Sequence, residues 1–354
     1  MNIQGLSTPA LIVDEEIFRE NIQKMSDLLR GSRLRLRPHY KSHKCAGIAH
    51  IQIENGAIGM TCAKLSEAMD LADSGIEDIL IANQITDREK IARLAYLARG
   101  CRLTVCVDDE QNVTDLENAA ALADSMIHCL IEYEIGMERC GLSDKEEVAR
   151  LAARIQECPH LTFEGIQAYA GHLSHEVSLE ERRERTLENA EKIRELVEFL
   201  AARGIQVKVL SGGSTGTSMI KVEQGLYTEL QAGSYLFMDA TYGELGLPFR
   251  QSLFLLTTVV SVSDTVTVLD AGVKSCGVDQ GMPVPVGFSV SGIVASEEHF
   301  QLHNPSVRLK VGDRVLLAPA HCCSTVNLHE KLYFVNREQR VTTRYEITAR
   351  GGFR

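Results

Sequence analysis

Over its first two-thirds the chain alternates two hydrophobic patterns. Short runs rich in Ile, Val and Leu cover residues 34–41, 57–62, 78–82, 102–107, 126–132, 162–169, 206–210 and 227–231. Several are apolar at nearly every position, as strands of a parallel sheet buried on both faces should be. Between them lie amphipathic stretches with apolar residues at helical spacing. KLSEAMDLADSG closes with Gly75, DREKIARLAYLARG with Gly100, and SLEERRERTLENAEKIRELVEFLAARG with Gly204, each a helix-stop signal. Eight strands, most of them separated by helices, predict a closed (β/α)8 TIM-like barrel, the arrangement that right-handed crossovers favour. An open doubly wound sheet is the competitor, but no G-x-G-x-x-G follows the first strand.

From about residue 245 the pattern changes. SLFLLTTVVSVS, TVTVLDAG, DRVLLAP, KLYFVN and RVTTRYEIT read as strands joined by short turns, with no helical stretch of comparable length. The expectation is an α/β barrel domain over 1–245 and an antiparallel β domain over 246–354, which the first few residues of the chain are free to join.

Composition narrows the function. The 354 residues are 44% hydrophobic and 24% charged, ordinary for a globular chain with room for a large core. The net charge of -11 argues against nucleic acid or an anionic membrane surface as partner. The N-terminal stretch MNIQGLSTPALIVDEE has no basic segment leading into a long apolar run, and no apolar run is long enough for a membrane helix. Ten cysteines in such a chain are expected to be reduced thiols in the cytoplasm. Cys62, Cys101, Cys106 and Cys129, in or beside strand-like runs, read as small core residues.

Barrel chemistry belongs at the C-terminal ends of the strands. The first strand ends in LRPHYKSHKC, which puts Lys41 there with His39 and His43 on either side. Such a cationic turn is ordinarily a solvated loop. A lysine in a barrel mouth, however, is desolvated, and a neutral amine is what forms a Schiff base. Across the mouth, strand seven ends in LSGGSTGT and strand eight in LQAGSY, where bare backbone amides and small hydroxyls suit a phosphate. A phosphate site opposite a Schiff-base lysine suggests pyridoxal phosphate. EIGMERCG after strand five brings Arg139, for a cofactor ring, a substrate carboxylate or an exposed ion pair. AYAGHLSH after strand six brings Tyr169, His172 and His175, with one histidine a candidate base. In the second domain, APAHCCSTVNL offers His321 and Cys323, an imidazole and a thiolate suited to Zn²⁺ and tolerable to Mn²⁺. Cys322 is the alternative ligand, although neighbours on an extended chain face opposite ways.

In combination, TPALIVD, LRPHYKSHK, GMTCAKLSEA, DILIANQ, ERCG, GIQAYAGHLSH, GGSTGT, YTELQAGSYLFMDATY, LDAG and AHCCSTVNL resemble the D-threonine aldolase and D-serine dehydratase family. These are fold-type III pyridoxal phosphate enzymes with an alanine-racemase-like barrel, and the resemblance covers nearly the whole chain. It implies that Lys41 is the Schiff-base lysine and that Ser214, Thr215, Gly216, Gly233 and Ser234 surround the phosphate. It implies that Arg139 faces the pyridine ring, that His39, Tyr169 and Tyr235 complete the cofactor site, and that His175 is the catalytic base. His321 and the residue two later match the ligands of a divalent metal, Mn²⁺ or Zn²⁺. Aldolases of the family usually carry aspartate at that second position, and Cys323 is what the dehydratase branch carries. The wider match favours a lyase that cleaves β-hydroxy-D-amino acids by a retro-aldol reaction, D-threonine giving glycine and acetaldehyde. The alternative is a dehydratase acting on D-serine or 3-hydroxy-D-aspartate. Further alternatives are an amino-acid racemase and a non-catalytic pyridoxal phosphate carrier. The expected partner is a small amino acid, and the expected assembly a homodimer.

Overall fold

The structure, a computed structural model, describes residues 1–352, and the last two residues of the expected 246–354 domain lie outside the described residues. The chain divides into two compact units. The barrel unit is built from Ser26–Lys41 and Ala49–Gly233, the β unit from Met1–Met25, Ser42–Ile48 and Ser234–Gly351.

The barrel unit holds eight strands in one sheet: Arg35–Leu36, Met60–Cys62, Asp78–Ile81, Arg102–Val107, Ile127–Glu132, Leu161–Ala168, Val209–Gly212 and Glu229–Leu230. All pairings along the sheet are parallel. A parallel bridge between His39 and Thr61 joins the first strand's continuation to the second and closes the ring. Each strand falls in or beside an apolar run of the sequence. The seventh is displaced, to Val209–Gly212 from the expected 206–210, because its hydrogen-bonded partners Gly165–Ala168 lie opposite those later residues. Cys62, Cys106 and Cys129 are fully buried as expected, whereas Cys101 sits before its strand and is only partly buried. Leu80, Cys106 and Leu130 form an apolar cluster. Below them lies a layer of charge. The Arg37 guanidinium bonds Glu229 through Nε and Nη2 at 2.9 Å each, and Asp78 through Nη1 at 2.8 Å. Arg102 and His128 both reach Glu164, at 3.0 and 2.7 Å. The expected helices span Leu65–Asp73, Arg88–Leu97 and Leu179–Ala201. Asp87 and Ser178 cap the latter two by accepting from backbone N–H groups.

The β unit contains a second sheet, mostly antiparallel. Its central strand is Ala10–Asp14, antiparallel to Leu253–Val262 and parallel to Lys331–Val335. Arg314–Ala318 pairs with Leu253–Val262 and leads into the AHCC segment. No helix among the described residues is long and apolar enough to cross a membrane.

Candidate active site

At the C-terminal end of the barrel strands a cavity of about 170 Å³ is lined by His39, Lys41, Asn83, Arg139, Gln167, Tyr169 and Gln231, among others. Lys41 lies in the single helical turn Tyr40–Ser42 that follows the first strand. Its Nζ approaches the Tyr169 ring at 5.8 Å from the centroid, and the Arg139 guanidinium approaches the same ring at 5.6 Å. His39 is buried and its Nδ1 accepts from the Lys41 backbone N–H at 3.3 Å. Arg139 is half exposed and lies 3.5 Å from Glu132. Burial pushes the Glu132 carboxyl up, opposed by Gln84, which donates to it at 2.7 Å, and by Arg139. Asn83, Gln167 and Gln231 were not expected from the sequence. Gln231 donates to Gln167 at 2.9 Å and to Ser211 at 2.9 Å. Their one signal is position, since all three close or directly follow barrel strands.

The turn after the seventh strand is a tight, polar cradle. Ser214, Thr215 and Thr217 are all buried, and the Ser214 N–H donates to Thr217 Oγ1 at 3.1 Å. A Cβ on Gly216 would stand 2.1 Å from the Ser174 carbonyl oxygen, so only glycine fits this approach. His172 lies in the turn Gly171–Leu173 and His175 beyond it, so the helical condition for a shared face is not met. Burial holds the His172 imidazole below its ordinary value.

In the β unit, His321 occupies the N-cap position of the short helix Cys322–Val326, with extended backbone and no capping bond from its side chain. The AHCC segment is therefore not extended at the cysteines, which corrects the expectation that their side chains face opposite ways. Cys322 is nevertheless set apart by burial: it has no exposure, and its thiol is raised by the hydrogen bond to Cys323 and by burial. Cys323 is part-exposed, 3.6 Å from Ser42 Oγ and 3.9 Å from Ser234 Oγ. Asp239 accepts from the Cys322 N–H at 2.9 Å and from the Tyr242 N–H at 2.9 Å, and burial pushes its carboxyl up to about 6. Burial works against the charge on His321, but contact with Cys323 and Asp279 takes the imidazole up to about 9. Among the described residues no group of three or more His, Cys, Asp and Glu is arranged to hold a metal. Tyr235 is buried in this unit against Phe249. Of the residues expected at the site, His39, Lys41, Arg139, Tyr169, His175, Ser214, Thr215, Gly216 and Gly233 fall in the barrel unit, and Ser234, Tyr235, His321 and Cys323 in the β unit.

Residues 13–241 match the model of the alanine racemase N-terminal domain, and residues 252–335 that of the serine dehydratase domain. The chain is 38% identical to the 3-hydroxy-D-aspartate aldolase of Paracoccus denitrificans (strain Pd 1222), over 99% of this chain and 94% of that one. It is 37% identical to the D-threonine aldolase of an Arthrobacter species, over 98% and 93%. This chain belongs to the D-threonine aldolase and D-serine dehydratase family. The crystal structure of the D-threonine aldolase from Filomicrobium marinum superposes with a TM-score of 0.96 at 34% identity, covering 100% of this chain and 98% of the other. The family's fold, an alanine-racemase-like barrel joined to a β domain, is the fold of this chain. Family members are pyridoxal-phosphate-dependent lyases, and so is this one. Its dehydratases are more distant: the D-threo-3-hydroxyaspartate dehydratase of a Delftia species is 26% identical over 90% of this chain and 92% of its own.

Proposed function

We propose that this protein is a metal-dependent aldolase that cleaves the Cα–Cβ bond of β-hydroxy-D-amino acids. The observation that carries the reading is the barrel-mouth cavity in which Lys41 and Arg139 approach one Tyr169 ring. The nearer kinship with aldolases than with dehydratases decides between the two branches.

The residues fit both groups the family implies. The glycine-tight, hydroxyl-lined turn at 213–217 suits a phosphate, and the imidazole–thiol pair suits a divalent metal. Lys41 would hold pyridoxal phosphate through its amine. Ser214, Thr215, Gly216, Gly233 and Ser234 would surround the phosphate with N–H and hydroxyl donors. His39, Tyr169 and Tyr235 would wall the ring, and Arg139 would donate to it. When bound, the cofactor supplies an electron sink for the carbanion and the metal lowers the pKa of a coordinated hydroxyl. His175 then takes the substrate's β-hydroxyl proton onto its imidazole. The barrel unit, Ser26–Lys41 and Ala49–Gly233, carries Lys41 and most of the cofactor residues, and the β unit carries the metal ligands. Because one ligand is a thiolate, Zn²⁺ is favoured over Mn²⁺. The protein works as a cytoplasmic homodimer.

A second reading, β-elimination, draws on Cys323, where the aldolase branch usually has aspartate. Incubation with D-threonine, 3-hydroxy-D-aspartate and D-serine, each with Zn²⁺ and with Mn²⁺, separates the two. Cleavage predicts glycine with acetaldehyde from the first and with glyoxylate from the second. Ammonia and a 2-oxo acid, with no aldehyde from any substrate, would replace the aldolase by the dehydratase.

A further inference from the structure

His321 has a neighbour that no motif pointed to. Its Nδ1 lies 2.6 Å from Asp279 Oδ2. The other carboxylate oxygen, Oδ1, accepts from Ser324 Oγ at 2.5 Å. The backbone is shaped for this contact, since a Cβ on Gly277 would stand 2.1 Å from Ser324 Oγ and 3.2 Å from Asp279 Oδ1. The His321 carbonyl accepts from Thr325 Oγ1 at 2.8 Å, and that same hydroxyl accepts from the Gly277 N–H at 3.1 Å. Two segments, 277–279 and 321–325, are thus clamped together around one imidazole ring, which also contacts the Cys323 thiol.

An imidazole has two nitrogens, and only the one without a proton ligates a metal. A carboxylate accepts and never donates, so Asp279 draws the ring proton to Nδ1 and leaves the Nε2 lone pair available. We infer that Asp279 is the positioning residue that fixes His321 as an Nε2 metal ligand, oriented through Ser324 and the glycine at 277. The inference deepens the metal site proposed above and rests on it. Asp279 touches neither substrate nor metal in this role. It acts by selecting the tautomer and the ring plane.

The test uses the pyridoxal-phosphate-loaded protein and Zn²⁺ alone. In the wild type carrying ¹⁵N-histidine, the Zn²⁺-bound His321 is expected to show its ring proton on Nδ1 and a metal shift on Nε2. Asp279→Asn is expected to lower Zn²⁺ affinity by about 10–100-fold, measured by competition with a chelator. The amide can turn its NH₂ to Nδ1, which moves the ring proton onto Nε2 where it blocks the lone pair. A metal shift on Nδ1 of the wild type would overturn the inference without any variant being made. So would an Asp279→Asn protein, folded by its thermal transition, that binds Zn²⁺ as the wild type does. His321→Ala tells the two levels apart: if it keeps wild-type Zn²⁺ uptake, the metal site itself is misassigned and the inference falls with it. If it loses the metal while Asp279→Asn keeps it, the site stands and Asp279 alone is refuted.

Discussion

Under the proposed function, the thiol at position 323 governs which metal the β unit prefers. Replacing it with the aldolase branch's usual ligand, Cys323→Asp, should preserve metal binding and shift preference from Zn²⁺ toward Mn²⁺, because a hard carboxylate suits Mn²⁺ better. Titrating the metal-free protein with each ion checks this; unchanged preference would mean that Cys323 is not a ligand. At the other end of the proposed chemistry, His175→Ala should lower kcat by about 10²–10⁴-fold, the span of a lost general base, with cofactor binding retained. Normal turnover would remove His175 from that role. Single residues were legible where chain position decided them. His39 and Lys41 follow the first barrel strand, and both line the cavity. Asp279 was not legible. In the sequence it is one acid in a Gly-rich turn, and only the folding of 277–279 against 321–325 gives it an imidazole to hold. Gln167 and Gln231 were overlooked for a related reason: as uncharged residues they carry no chemical signature until the closed barrel turns them into one cavity.

Barrel strands such as Arg102–Val107 were readable because burial on both faces makes most of their positions apolar. The first strand is shorter than its apolar run, since the chain turns into a helical turn at Tyr40. The strands Val284–Pro285 and Gly292–Ala295 carry no sequence signal because they are too short to show a period, and only Pro285 among their residues is buried. Between the fifth and sixth barrel strands the register shifts, and Gly165 lies just past the irregularity with φ at +152°. A Cβ there would stand 1.9 Å from the Val209 carbonyl oxygen of the seventh strand. Gly165→Ala must therefore move a strand backbone, and it should cost about 1–3 kcal/mol in chemical denaturation. An unchanged midpoint would show that the sheet adjusts without strain.

The charged layer within the barrel bears on the stability of the whole unit. Arg37 is the partner of two carboxylates, and its side chain and that of Glu229 are both almost fully buried. Arg37→Ala leaves Glu229 without its compensating charge and should destabilise the protein by about 3–5 kcal/mol, whereas replacing both partners with apolar residues should cost much less. Denaturant titration of the single and double variants distinguishes the two outcomes. Acid acts on the same layer. Burial and Arg102 hold the His128 imidazole below the ordinary histidine value of about 6.5, so the unfolded chain takes up that proton first and stability declines as pH falls below that value. Burial opposes the charge on Glu164, but hydrogen bonds from Arg102 and His128 hold its carboxyl below the usual range. Its contribution is present above the ordinary carboxylate pKa and fades as pH falls through the lowered one. The wild type should therefore lose stability steadily between neutrality and pH 4, and Glu164→Gln, less stable at pH 7, should show a shallower loss at the acid end. The strand Ala10–Asp14 carries one more consequence, for how the chain comes into being. It is translated before every barrel strand, yet its neighbours in the sheet, Leu253–Val262 and Lys331–Val335, are translated after all of them. Translation thus supplies every barrel strand while this apolar segment still waits for both of its partners, and a nascent chain halted before residue 331 would be a barrel trailing an unfinished sheet, open to any chaperone that recognises bare strand edges.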